Sequence, residues 1–305
     1  MLNRFGPTLI CAAWLTATAA MAQTPATAAQ TTAYSFVQSY AATTHTLEQI
    51  ARWADPICVE VYGLTPGKAA VIKTRIEDVA KALGVSSLSA GCVKNIEVVF
   101  TGQPQKVIDD VAKNHEVLLG YEHRNDKGLR TVTRPVQAWY VTSTIGGAGP
   151  NAGAMFAFSE LGASGGVIPM QSRERVLDDP NNRPPTGCGD SHFSACLKSV
   201  FVHVLVVVDT GRAKDASVGL ISDYVAMLAL SQPRALDRCN PLPSVTDLFA
   251  GSCPGRGAPN ELTPADAAYL TALYTADAEA GSAAQKTDIA GRMSKILAPS
   301  NVAAK

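Results

Sequence analysis

Charge of either sign is in no excess: 26 Lys and Arg stand against 26 Asp and Glu. That balance leaves no basic footprint for nucleic acid and no polybasic patch for a membrane surface. Past the first residues, no apolar run approaches the roughly 20 residues that a membrane helix needs. No CxxC pair occurs, and the cysteine spacings fit no common zinc template, so no structural metal is expected. No GxSxG nucleophile elbow is present. The stretch YGLTPGKAA fails as a phosphate-binding loop. Gly63 and Gly67 stand one residue too close, and Ala69 occupies the place of the required Ser or Thr. The glycine-rich stretch from Gly146 to Gly166 lacks the strand–GxGxxG–helix order and reads as a hairpin or surface loop. No cofactor is expected.

What is there begins with an export signal. Arg4 supplies a positive start, PTLICAAWLTATA is a short apolar run, and Ala20 to Ala22 give a small-x-small cleavage pattern before Gln23. Residues 1–22 are the expected signal peptide, which leaves no membrane span in the mature chain and sends it to the periplasm or the medium. Cys11 leaves with the signal. Cys58, Cys92, Cys188, Cys196, Cys239 and Cys253 remain. An even cysteine number in an exported chain suggests disulfides. Loop-closure entropy favours near neighbours, hence Cys58–Cys92, Cys188–Cys196 and Cys239–Cys253.

Residues 23–46 are rich in Thr, Ala and Gln and read as a flexible leader. Residues 47–299 read as a single α/β domain, with a mixed sheet and packed helices, and residues 300–305 as a tail. Within residues 47–145 the pattern alternates β-α-β-α-β. ICVEVYGL is a strand, and a helix follows, capped at Thr65, started by Pro66 and closed by Gly84. Ala69, Ile72, Ile76, Val79 and Leu83 mark its buried face. NIEVVFTG is a second strand, Pro104 to about Leu119 a second helix, and VQAWYVTSTIG a third strand. Residues 146–198 are glycine- and proline-rich loops. In residues 199–299, SVFVHVLVVVDT is an apolar, central strand, with His203 read as a buried, hydrogen-bonded histidine. Closing helices follow.

The helix expected from Ser217 to Ser231 is stopped by Pro233. It has two rows: Val218, Ile221, Val225 and Leu228 are large, and Ser222, Ala226 and Ala229 are small. Laid on the pattern H-E-x-x-H-x-x-G-x-x-H, the segment Ser222 to Gln232 resembles the metal helix of the zincin metalloproteases, the matrixins and metzincins in particular. Leu228 and Leu230 flank the glycine position, and Asp223 falls on the general base. Ser222, Ala226 and Gln232 fall on the three zinc ligands, and Ala229 on the glycine. The segment PSVTDLF looks like the turn beneath the metal, with Thr246 at the usual methionine. LTPADAAYLTALY is similar to the closing helix, with a capping box from Thr263 to Asp266.

The resemblance implies a zincin-like fold over about Val200 to Tyr274 whose classical site is dead. Zinc needs nitrogen, sulfur or carboxylate donors, and this row offers a hydroxyl, a methyl and an amide. The expected function is therefore a binding or structural role in the cell envelope, with no bound metal and an envelope protein or peptide as the partner class. An active, peptidase-like hydrolase is the alternative. It requires a deep cleft with converging polar groups near Ser222, Asp223 and Tyr224. A serine-type site further requires His203 to reach Ser222. His192, in the loop between Cys188 and Cys196, reads as a solvated histidine.

Overall fold

The computed structural model describes residues 25–89, 91–120, 127–145, 197–234 and 236–298. The expected signal peptide, most of the glycine- and proline-rich loops with His192 and Cys188–Cys196, and the 300–305 tail lie outside them.

The protein is α+β, with helices on both sides of a mixed four-stranded sheet. The strands are β1 (Val59–Tyr62), β2 (Ile96–Thr101), β3 (Val136–Ile145) and β4 (Lys198–Asp209). The helices are α1 (Pro25–Tyr40), α2 (Pro66–Ala82), α3 (Pro104–Asn114), α4 (Val218–Leu230), α5 (Pro264–Thr275) and α6 (Ser282–Leu297). Sheet order is β1-β2-β4-β3. The α2 crossover makes β1 and β2 parallel, and β4 adds in parallel beside β2. The last member, β3, runs antiparallel along the outer edge of β4.

Strand β4 is central, and Ser199 to Val208 are all buried. A run of Val and Leu suits a strand covered on both faces. Alternation then sorts its side chains. Val204, Val206 and Val208 join Ile96 and Val98 in the large core under α2 and α4. Leu205 and Val207 face the other way and pack with Ile108, Leu119 and Trp139 in a smaller core under α3. The pairing slips between Val141 and Thr142, whose partners are His203 and Phe201. The slip leaves Val202 unpaired and turns Phe201 to the large-core side, where it meets Trp53 at 5.8 Å and Tyr140 at 5.7 Å between ring centres.

Helix α2 follows the sequence closely. Pro66 starts it, and it buries Ile72, Ile76, Val79 and Ala80. Gly63 precedes it at φ +81°, where a Cβ would stand 1.9 Å from the Phe100 carbonyl oxygen, so only glycine fits. Helix α3 is shorter than the sequence suggests. It ends at Asn114, where His115 leaves helical geometry, and a 3-10 turn covers Glu116–Leu119.

The leader expected over residues 23–46 is a correction. Most of it is helix α1, and Ala33, Phe36, Val37 and Tyr40 are buried. These four stand at i, i+3, i+4 and i+7, the spacing of one helix face. Phe36 stacks on Tyr40 at 4.7 Å, and both meet Tyr269 of α5, at 5.9 and 4.9 Å. Low overall apolarity concealed a narrow stripe that a neighbouring helix covers.

Disulfides join Cys58 to Cys92 and Cys239 to Cys253. The first ties the segment before β1 to the approach of β2, across α2.

Candidate functional site

Helix α4 begins where Ser217 accepts a hydrogen bond from the Leu220 amide at 3.2 Å. From Ile221 to Leu230 every residue is buried, including Ser222, Asp223, Tyr224 and Ala226. Ser222 turns its hydroxyl back to the Val218 carbonyl at 2.7 Å, within its own helix. Asp223 is held twice: Arg75 of α2 donates to one carboxylate oxygen, and the Leu262 amide donates to the other at 2.8 Å. Tyr224 lies edge-on to Phe249 at 5.2 Å, and burial raises its phenol pKa. A hollow of about 280 Å³ lies beside Ser222 and Asp223, rimmed by Val71, Asn260 and Glu261. The Ser222 hydroxyl and both Asp223 carboxylate oxygens already have the protein partners just named.

The far end of α4 is closed as fully. Four terminal carbonyls of a helix have no partner inside it. Here the Met227 carbonyl accepts from the Ser231 hydroxyl at 2.7 Å, and that of Leu228 from the Tyr140 hydroxyl at 3.0 Å. Ala229 accepts from the Trp53 indole at 2.8 Å, and Leu230 from the Tyr274 hydroxyl at 2.8 Å. Gln232 follows, half-buried, and its backbone carbonyl accepts from the Ala42 amide at 3.0 Å. Side chains of β3, α5 and the segment before β1 thus cap the C-terminal end of the helix.

The turn after α4 is a polar knot. Ser244 and Asp247 form a capping box on a 3-10 turn, Val245–Phe249. Thr246 shares a 2.7 Å hydrogen bond with Ser244 and accepts one from Asn240 at 3.1 Å. Asp266, in the capping box of α5, also accepts from the Ser244 hydroxyl at 2.6 Å and the Val245 amide at 2.7 Å. Burial pushes the Asp266 carboxyl above the ordinary carboxylate range, against the pull of those hydrogen bonds. The knot joins the turn to α5 and, with Cys239–Cys253, leaves Thr246 fully buried. Its chemistry is structural, because each of these polar groups is spent on a neighbour.

A different constellation sits on the opposite sheet face. His203 alternates with Leu205 and Val207, away from α4, so it cannot meet Ser222. Its imidazole Nε2 lies 3.3 Å from Oε1 of Glu97, on the adjacent β2. His203 is 1% exposed and the Glu97 side chain 27%. The imidazole hydrogen bond holds the Glu97 carboxyl below the ordinary carboxylate range, outweighing the opposite effect of burial. The pair floors a trough of about 460 Å³ between β2, β4 and α3. Val99, Val107, Val111, Leu118 and Leu205 make its wall, and Lys94 and His115 stand exposed at its rim. Val93 at its mouth is 65% exposed.

The trough sets a carboxylate beside an imidazole, and the Cys92 sulfur on its lining is spent in a disulfide. Among the described residues, no group of three or more His, Cys, Asp or Glu side chains could hold a metal ion. Sequence reading singled out His203 but missed Glu97 and Lys94. The available signal was a lone acidic residue inside the apolar strand NIEVVFTG. No family model, curated protein or solved structure matches this chain.

Proposed function

We propose that this is an exported, non-catalytic relative of the zincins that acts in the cell envelope, periplasmic or secreted, by binding rather than by hydrolysis. The observation that carries it is the fate of Asp223. At the place of a general base, its carboxylate is committed to Arg75 and to the Leu262 amide. A general base must reach the proton it abstracts, and this one is buried under an ion pair. Its neighbours Ser222 and Ala226 bring no zinc donor. The order of β4, α4, buried turn and capped α5 supports the kinship. Two disulfides fit an oxidising compartment. Among the described residues no helix is long and apolar enough to cross a membrane.

The test is the metal content of purified, signal-free, oxidised protein after dialysis without chelator, together with cleavage of an unstructured protein substrate. Substoichiometric metal and no cleavage are expected. About one zinc per chain, held by the usual three protein ligands, or chelator-sensitive cleavage, would overturn the reading.

A further inference from the structure

We infer that the trough beside α3 is a ligand site for a small zwitterion with an aliphatic body, of the class of the aliphatic α-amino acids, whose ammonium group docks on Glu97. The inference rests on the reading of this chain as a binding protein and places the binding on the sheet face opposite α4.

Three features define the ligand. Glu97 uses Oε1 for His203, and among the described residues no hydrogen bond occupies Oε2. With its side chain 27% exposed at the floor of the trough, that carboxylate is within reach of a ligand and shielded from bulk water. A carboxylate so placed selects a cationic hydrogen-bond donor, because a charge-assisted bond gains strength where water is excluded. Histidine supports this choice: its hydrogen bond favours the ionised carboxylate.

The second feature is the wall. Val99, Val107, Val111, Leu118 and Leu205 present branched aliphatic groups and no ring. They suit a short branched hydrocarbon, which they would remove from water at about 25 cal/mol per Å² of apolar surface. The volume, about 460 Å³, falls in the range of small-molecule sites.

The third feature is the rim. Among the described residues, Lys94 and His115 are the basic groups at that rim, and both lie close enough to Glu97 to favour its ionised form. A simple amine would meet an unfavourable rim charge. A zwitterion places its carboxylate there and its ammonium on the floor, so that each charge of the ligand has an opposite partner.

Isothermal titration of the full mature protein tests this with three probes that share an isobutyl group: L-leucine, isoamylamine, which has only the ammonium, and 4-methylpentanoate, which has only the carboxylate. L-Leucine is expected to bind best, isoamylamine more weakly, and 4-methylpentanoate least. Glu97→Gln keeps the shape and is expected to weaken L-leucine at least about tenfold, the loss of one charge-assisted bond. Lys94→Met is expected to weaken L-leucine while leaving isoamylamine unchanged or better bound. Val111→Asp, on the α3 wall and not a partner in the Glu97–His203 hydrogen bond, tests the wall separately from that pair and is expected to abolish binding. Circular dichroism of each variant confirms its fold. The inference is overturned if folded wild-type protein does not bind L-leucine, if 4-methylpentanoate binds as well as L-leucine, or if Glu97→Gln binds it unchanged. A stoichiometric zinc would overturn the non-catalytic reading instead, without touching these titrations, so the two failures are distinguishable.

Discussion

Helix α4 and the trough on the opposite face of the sheet treat their polar groups in opposite ways. On the α4 side, Ser222, Asp223 and the last four carbonyls of the helix are all satisfied by protein partners. On the α3 side, the Glu97 carboxylate meets His203 and then opens into an aliphatic trough. A buried polar group without a partner costs free energy comparable to a lost hydrogen bond, and α4 avoids that cost at these groups, although the Tyr40 and Tyr269 hydroxyls of the same core have no hydrogen-bond partner among the described residues. A face that keeps one in reserve is the face where a ligand can supply the missing partner. The contrast moves attention from the helix the sequence makes conspicuous to a trough it does not.

Four substitutions in three experiments probe this contrast, the experiment with the largest expected effect first. Leu228→Ala removes a fully buried side chain from the α4 face and is expected to cost about 2–5 kcal/mol. Val107→Ala, half-buried on the trough wall, should cost about 1 kcal/mol or less, because part of its surface is already in water. Urea unfolding of the pair measures both. Equal losses would mean that the trough is packed as tightly as the α4 core.

Next comes Asp223→Ala. It strands the Leu262 amide and the Arg75 guanidinium. The expected loss is about 1 kcal/mol for the hydrogen bond of the half-buried Leu262 amide, with little contribution from the half-exposed arginine. The same unfolding curves, run at low and high salt, separate the two: the amide term persists in salt and the ion-pair term fades. No loss would show that Asp223 is held less firmly than the geometry implies and would reopen a chemical role for it.

The smallest effect concerns acid. Glu97 has a folded pKa below its unfolded value. Its pair with His203 therefore contributes stability that is full above the unfolded glutamate range and is lost as pH falls through the lower folded value. Wild-type protein should lose slightly more stability than Glu97→Gln on acidification through that window, by about 1 kcal/mol or less for a partly exposed group. Thermal unfolding in a pH series reads the difference. Identical acid limbs would remove the pair from the stability of this face.

Much of the architecture was legible because local chemistry carries it. Proline at the first position and a glycine at φ +82° bracket the α2 segment. Thr263 and Asp266 form the capping box their spacing suggests. Strand β4 reads as central because a strand covered on both faces cannot alternate. Helix α1 was harder to read, since Ala33, Phe36, Val37 and Tyr40 are diluted among Thr, Ala and Gln, and only contact with Tyr269 shows their use. The reversed direction of β3 has no local signature, because parallel and antiparallel partners are chosen by the chain path between them.

The sequence by itself determined the strands, most helix ends, the near-neighbour cysteine pairs Cys58–Cys92 and Cys239–Cys253, and the poverty of zinc donors along α4, all of them properties of residues close in the chain. Tertiary structure decided the rest. It alone brings Arg75 onto Asp223, 148 residues away, and Glu97 onto His203, 106 residues away. Whether a carboxylate is sealed or open depends on which distant side chain folding sets against it, and no local pattern encodes that.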